Sequence, residues 1–420
     1  MVDQVIPGIS RAALRTQEPP ISWLMQAAVE APGLISLAAG LVDRASLPLD
    51  LVTPIMHDLI ADVEAGRDAL QYGTTPGLAG LRAAVAERYA AGTAYGDADQ
   101  VLITTGSQQF LQLVSEALLD EGDVVIVEQP SYFVYLGLLA SAGVDVRGVA
   151  TDAEGLCIED LERVLDELGQ QGRLPRLKLI YLVSYHQNPS GRTLSLSRRQ
   201  RLLEVVGELP PSCRILEDAA YYELSFEPER RPPLLARLDD SGRRVITALT
   251  TSKGFAPGLK TGFGLLPREL VELCIWLKGN HDFGSGNLAQ HVLLRALQGG
   301  AFEAQIDRNR AVYRQKAAVL DAALRQTLPP GAAVWQPADG GLYLWLQLPN
   351  TATDLGSAFF EACQAEGVLY VPGSFAFASG PQPTPGDRLR LTYGVVDEDE
   401  LREGAARLGR AWRRVQEERR

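Results

Sequence analysis

Between Val101 and Lys253 the chain repeats one pattern: a short apolar run, a polar or glycine-bearing stub, then a helical stretch. The apolar runs are "VLITTG", "DVVIVEQP", "VDVRGVAT", "LKLIYLVSY", "CRILEDAAYY" and "RRVITALTTS". Between them "SQQFLQLVSEALLD", "YFVYLGLLASAG" and "SRRQRLLEVVGEL" read as helices. Strands alternating with helices predict an α/β fold built on a doubly wound, mostly parallel sheet. In such sheets ligands bind off the carboxyl ends of the strands. The stubs "TTGSQQ", "EQPSY", "SYHQNPSG", "EDAAYY" and "TTSK" all fall there, and that coincidence says more than any one of them.

From about Ala301 the pattern changes. "AFEAQIDRNRAVYRQKAAVLDAALRQTL" reads as one long helix ended by "PPG". After it come "GGLYLWLQLP", a helix at "DLGSAFFEACQAEG", then "VLYVPGS", "RLRLTYG" and a last helix rich in Arg and Glu. This predicts a smaller α+β domain. The first forty residues look like an arm. The expected division is an arm with part of the small domain over 1–50, a large domain over 51–305 and a small C-terminal domain over 306–420.

Composition removes several classes. A net charge of −12, with no basic run interleaved with aromatics, argues against nucleic-acid binding. The first twenty residues lack the apolar stretch of a signal peptide, and no segment approaches the roughly eighteen apolar residues of a membrane span. Cys157, Cys213, Cys274 and Cys363 lie far apart with no CxxC pairing, so the expectation is reduced thiols in the cytoplasm rather than disulfides or zinc. The four histidines show no ligand spacing, and no metal is expected.

The strand-end residues can be read as one site. Ser107, in "TGSQQ", stands at a helix start, where free N–H groups favour an anion; it could equally be a plain N-cap. Tyr132 could stack on a flat ligand or belong to the core. Asn188, in "QNPSG", is by itself only a turn residue. Asp218 could keep a ring nitrogen protonated and so make the ring an electron sink, or could form an Asx turn. Lys253 could be a nucleophilic amine in a dry pocket or a snorkelling surface lysine. Together they supply an amine for an imine, a carboxylate for a ring nitrogen, an Asn and Tyr for a phenolate, an aromatic to stack and an anion cup. That set describes pyridoxal 5'-phosphate.

The chain resembles the fold type I pyridoxal-phosphate enzymes of the class I/II aminotransferase group, and most of all the branch of 2-aminoadipate and kynurenine-type aminotransferases. "LQYGTTPGLAGLR", "TTGSQQ", "HQNPSG", "EDAAYYEL" and "SKGFAPGLKTG" fall in the family's order, and the likeness runs from "ISLAAGLVDRASLP" to "RLRLTYG". The resemblance implies that Lys253 is the Schiff-base lysine and proton shuttle, and that Asp218 pairs with the pyridinium nitrogen. It implies Tyr221 and Asn188 on the phenolic oxygen, and Tyr132 on the ring. Ser107, Gln108, Thr250, Ser252 and Lys260 would hold the phosphate. Tyr72 would reach the cofactor of the other subunit, which makes the unit a homodimer. Arg390 would grip the substrate α-carboxylate as a fork, near the backbone of Gly40. Arg44 would meet an acidic side chain or stand in solvent.

Two departures bear on the substrate. Lys260 stands where the family has Arg, and so offers a point charge without a fork. "SYH" precedes "QNPSG" where the family has a Pro-aromatic pair, which would put Ser184, Tyr185 and His186 near the cofactor's edge; His186 is either a pocket residue or a packed one. The expected reaction moves the amino group of an L-amino acid to a 2-oxo acid such as 2-oxoglutarate. β-Elimination, decarboxylation or oxidation on the same scaffold is the alternative, and Arg390 argues against decarboxylation. Regulators of similar sequence carry a helix-turn-helix domain in front; about forty residues are too few for one.

Overall fold

The computed structural model describes residues 8–18, 33–378 and 384–418. In chain order the strands are β1 (Ile35–Ser36), β2 (Val101–Thr105), β3 (Val124–Gln129), β4 (Asp145–Asp152), β5 (Gly155–Leu156), β6 (Leu177–Val183), β7 (Arg214–Asp218), β8 (Val245–Thr250), β9 (Thr261–Leu265), β10 (Tyr343–Gln347), β11 (Val368–Leu369), β12 (Val371–Pro372) and β13 (Arg388–Thr392). Eight of them form one sheet in the order β2-β9-β8-β7-β6-β3-β4-β5. Neighbours β8, β7, β6, β3 and β4 run parallel; β9 and β5 run against their partners.

The inner strands are apolar on both faces because both faces are covered. Side chains alternate across a strand. Val125, Val127, Leu179, Tyr181, Leu216 and Ile246 therefore enter one core, while Ile126, Ile180, Leu182, Ile215 and Val245 enter the other. Helices Gly106–Leu118, Phe133–Ala142, Ile158–Gln170 and Leu196–Glu208 supply the crossovers. Each fully buried Val, Ile or Leu contributes on the order of 2 kcal/mol, so this double burial rather than any polar contact holds the sheet together.

The strand β9 is the main departure from the sequence reading, which has no strand at "TGFGL". Its two glycines argue for a loop, but in the sheet they answer a steric need. A Cβ on Gly262 would sit 2.4 Å from the backbone nitrogen of Ser107, and one on Gly264 would sit 1.9 Å from the ring of Phe110. The bare backbone lets β9 lie between β2 and β8 directly against the helix that starts at Gly106.

The C-terminal elements build a three-stranded antiparallel sheet, β10-β13-β12, and a two-stranded parallel one, β1-β11. The helices Ala301–Thr327 and Glu398–Glu418 pack on each other beside them. "VLYVPGS" splits at Tyr370: β11 pairs with β1 from the N-terminal segment, and β12 with β13. One of the two large cores runs from the eight-stranded sheet into these elements, through Leu342, Leu344, Leu389 and Leu391. Among the described residues no helix is long and apolar enough to cross a membrane, and all four cysteines are free.

Candidate active site

The parallel strands present their carboxyl ends along one edge, and β9, which runs the other way, begins there. Thr105, Val183, Asp218, Thr250 and Lys260 are thus gathered at one margin of the sheet. A cavity of about 370 Å³ opens there against the C-terminal elements. Its walls include Gly40, Ser107, Gln108, Tyr132, Asn188, Asp218, Tyr221, Thr250, Ser252, Lys253, Lys260 and Arg390. The remaining lining includes Leu41, Phe133, Val134, Val183 and Tyr343. Among the described residues Asp218 is the sole carboxylate of the lining, which also holds three cations, Lys253, Lys260 and Arg390.

Adjacent carboxylates at the end of β7 have separate tasks, because the pleat sends them to opposite faces. Glu217 turns into the core, fully buried, and accepts from Arg199 Nη1 at 2.8 Å, Ser184 Oγ at 2.8 Å, Thr247 Oγ1 at 3.1 Å and the backbone N–H of Leu235 at 3.0 Å. Asp218 turns to the cavity. It accepts from the Tyr181 hydroxyl at 3.0 Å and from the backbone N–H of Ala220 at 3.1 Å. Burial pushes its carboxyl up to about 6 against the pull of those two donors. A cation placed against it would reverse that shift.

Lys253 follows β8 in a turn, and its Nζ donates to the carbonyl oxygen of Gly40 at 2.7 Å. Thr250 Oγ1 lies 3.0 Å from Ser252 Oγ and accepts from the N–H of Ser252 at 3.1 Å, which holds both hydroxyls at the strand end. Across from them the helix Gly106–Leu118 begins with no side-chain cap. Its first N–H groups are left to the cavity, so Ser107 is a first-turn residue and not an N-cap. Lys260 has a left-handed backbone, φ 49°. Its Nζ lies 3.9 Å from where a Cβ on Gly106 would stand, beside that open helix start.

Arg390, 1% exposed, reaches in from β13. Its Nη1 donates to Asn188 Oδ1 at 2.7 Å and its Nη2 to the carbonyl oxygen of Ala38 at 2.6 Å, while Nε is buried with no hydrogen-bond partner among the described residues. Its guanidinium carbon lies 4.3 Å from the centroid of the Tyr343 ring. Tyr221 and Tyr343 meet hydroxyl to hydroxyl at 3.1 Å. Tyr343 is a wall residue that the sequence reading missed. The pair "GG" just before it, with Gly341 at φ 70°, marks a tight turn and was the available signal.

Several expected residues stand elsewhere. Arg44 is exposed and does not line the cavity; the inward residue of that turn is its neighbour Asp43, held by Lys316 Nζ at 2.7 Å and by the N–H of Ser46 at 2.8 Å. Tyr72 is 84% exposed, outside the cavity of its own chain, edge-on to Phe283 with ring centroids 5.9 Å apart. Ser184, Tyr185 and His186 are buried and line no part of the cavity. Tyr185 donates to the carbonyl of Pro232 at 2.9 Å. His186 is a packed residue, with Nδ1 3.0 Å from Asp339 Oδ1 and Nε2 2.8 Å from Ser225 Oγ.

The donor set fits pyridoxal 5'-phosphate. An open helix start with two hydroxyls and a lysine suits a phosphate, a buried carboxylate suits a basic ring nitrogen, and a primary amine beside them suits an aldehyde. The unpartnered Nε of Arg390 leaves donor capacity for a carboxylate.

Comparison with known proteins agrees. The profile of the family described as "Aminotransferase class I and II" matches residues 33–408. The 2-aminoadipate transaminase of Thermus thermophilus is 33% identical over 405 residues, covering 96% of each chain. The crystal structure of the Pyrococcus horikoshii kynurenine aminotransferase, 31% identical, superposes with a TM-score of 0.89 over 99% of each chain. That of the Thermus thermophilus alpha-aminoadipate aminotransferase, complexed with N-(5'-phosphopyridoxyl)-L-leucine, is 33% identical, with a TM-score of 0.85 over 97% of this chain and 98% of that one. With the cavity and these likenesses together, the chain belongs to the class I and II aminotransferases and is a pyridoxal-phosphate-dependent enzyme of amino-group transfer.

Proposed function

We propose that the enzyme takes the amino group from an L-amino acid with an apolar or aromatic side chain and passes it to a 2-oxo acid of the same kind. The observation that carries this is the lining itself: among the described residues it has three cations, each with a task of its own, polar groups that would hold the cofactor, and otherwise Leu41, Phe133, Val134, Tyr132 and Tyr343. Lys260 serves the phosphate, Lys253 the aldehyde and Arg390 the α-carboxylate. Among the described residues no further cation lines the cavity for an acidic side chain, and Arg44 is exposed and outside it.

Pyridoxal phosphate, when bound, supplies the electron sink that makes the substrate's α-proton removable. Ser107, Gln108, Thr250 and Ser252 would hold its phosphate with Lys260, and Tyr132 would cover its ring. Asp218 would keep the ring nitrogen protonated, and Asn188 and Tyr221 would hydrogen-bond its phenolic oxygen. Arg390, already aligned by Asn188 and Ala38, orients the substrate by its carboxylate, with the backbone of Gly40 alongside. Lys253 Nζ, as a free amine, would take the proton from the substrate α-carbon; a free amine held in place is a competent general base.

The proposal extends to a homodimer with shared sites, in the cytoplasm. Leu49, Ile60, Val63, Leu70, Tyr72, Trp276 and Phe283 are large, apolar and exposed, which is the composition of a surface that meets another chain. The two helices Leu49–Ala61 and Val63–Leu70 pack on each other, and Tyr72 touches Phe283. Tyr72, useless to its own cavity, would serve the partner's.

The test is to add single L-amino acids to the holoenzyme, then single 2-oxo acids, 2-oxoglutarate among them, while recording the cofactor's absorbance. The reading expects aromatic or aliphatic donors to change the spectrum and apolar 2-oxo acids to restore it. Response to dicarboxylic donors alone would overturn the substrate class.

A further inference from the structure

We infer that Tyr343 is a positioning residue for the cofactor's electronics: its hydroxyl donates to Tyr221, so that the single proton of Tyr221 is committed to the cofactor's phenolic oxygen. The inference rests on the reading of the cavity given above and gives a role to a wall residue that had none there.

The geometry is specific. Tyr343 is 2% exposed, and β10 carries it to the same face of the small sheet as Arg390. In register, Trp345 opposes Arg390 and Tyr343 opposes Thr392, so Tyr343 is the diagonal neighbour of Arg390. The rings of Tyr343 and Tyr221 meet edge to face, 5.7 Å between centroids at 76°. This leaves the two hydroxyls 3.1 Å apart and the guanidinium of Arg390 over the Tyr343 ring. The Tyr343 hydroxyl also presses on Gly40, where a Cβ would lie 2.5 Å from it. Gly40 is the residue whose carbonyl holds Lys253. One phenol thus touches the holder of the reactive amine, the carboxylate fork and the phenol assigned to the cofactor.

A hydroxyl has one proton to give and two lone pairs to receive. In a hydroxyl pair only one member donates. Tyr221 is the phenol assigned to the cofactor's phenolic oxygen, so its one proton goes there, and the 3.1 Å contact is then closed by the proton of Tyr343. Burial raises both; the cations Arg390 and Lys253 outweigh it at Tyr343 and bring that phenol below its ordinary value. Tyr221 stays well above its own. The order of donation is then Tyr343 to Tyr221 to the phenolic oxygen, and each bond in such a chain strengthens the next. A donor on the phenolic oxygen favours its anion and holds down the basicity of the imine nitrogen that shares its proton.

The experiment is a pH titration of the visible absorbance band of the holoenzyme in wild type, Tyr343→Phe, Tyr221→Phe and the double variant. Tyr343→Phe keeps the ring under Arg390 and removes only the hydroxyl. The expected result is a midpoint raised by about half a unit or more in Tyr343→Phe, a larger rise in Tyr221→Phe, and no further rise when both are combined. An unchanged midpoint in Tyr343→Phe overturns the inference, and so do additive shifts. A Tyr343→Phe protein that fails to hold the cofactor also overturns it, because the ring and not the hydroxyl is then expected to carry the packing. A wild-type band that is absent, or that survives Lys253→Ala, is a different failure: it strikes the reading of the cavity itself.

Discussion

Lys253 Nζ donates a 2.7 Å hydrogen bond to the carbonyl oxygen of Gly40, 213 residues away in the chain. The contact ties the strand end of the large sheet to the segment next to β1, which pairs with the C-terminal β11. It also sets the amine in the cavity before any aldehyde arrives. Replacement of Lys253 by Ala should leave the fold intact and abolish the cofactor's visible band. Amino transfer should fall by a factor of about 10⁴ or more, the size of a lost nucleophile and base together. A Lys253→Ala enzyme to which sodium borohydride still links the cofactor covalently would sink the assignment.

Asp218 makes a pH prediction for the cofactor-free protein. Its folded-state carboxyl lies at about 6, above the ordinary 3.8, so the folded chain holds that proton more tightly than the unfolded chain. The group contributes no cost below about pH 4. The cost of burying its charge grows through the window up to about pH 6, and remains above it, at up to about 3 kcal/mol. Asp218→Asn removes it. Urea unfolding of the two cofactor-free proteins should agree near pH 4 and diverge by pH 7, with the variant more stable. With cofactor the order of merit reverses, because the variant has no anion for the ring nitrogen and loses amino transfer. Equal stability at both pH values would contradict the burial argument.

Lys260 tests the phosphate cup. With its ammonium beside the open helix start, Lys260→Ala should weaken pyridoxal phosphate by about tenfold, and Lys260→Arg should restore the affinity, since a fork serves a phosphate at least as well as a point charge. Equilibrium dialysis against the cofactor measures both. Unchanged affinity in Lys260→Ala would remove this residue from the cup.

Tyr72 tests the shared site. Neither Lys253→Ala nor Tyr72→Ala should be fully active alone. Mixed, unfolded and refolded together, they should recover activity, since a hybrid dimer has one site with both residues intact. Tyr72 projects from its own chain at 84% exposure, so complementation is the outcome its position predicts. Persistent inactivity of the mixture, with hybrid dimers confirmed by mass, would mean that the tyrosine acts elsewhere.

The Arg44 question is decided by a neighbour. Because Asp43 is the residue anchored inward by Lys316, Arg44→Ala should leave KM for dicarboxylic and aromatic donors alike unchanged. Steady-state kinetics with both classes would reveal a selective rise in KM for dicarboxylic donors, which would return Arg44 to the site.

What the sequence determined by itself is what local patterning can encode. The alternation of apolar runs and helices specifies a parallel sheet, because a side-chain period of two or of about 3.6 is readable within ten residues. The stubs after those runs must then lie at the carboxyl edge, which is why Ser107, Asp218, Thr250 and Lys253 were legible together. The tertiary structure decided whatever depends on two distant segments meeting. "TGFGL" has the local character of a loop and became β9, because Gly262 and Gly264 clear the space that Ser107 and Phe110 occupy. Tyr343 entered the cavity through its register against β13, which no spacing in the chain encodes. His186 left it, since Asp339 and Ser225, 153 and 39 residues away, hold its ring. Arg44 and Asp43 are equally polar and adjacent, and a lysine 273 residues from Asp43, with the nearby N–H of Ser46, holds Asp43 inward. A one-residue turn of the backbone reverses a side chain's direction, and that choice is made by packing energy summed over the folded molecule.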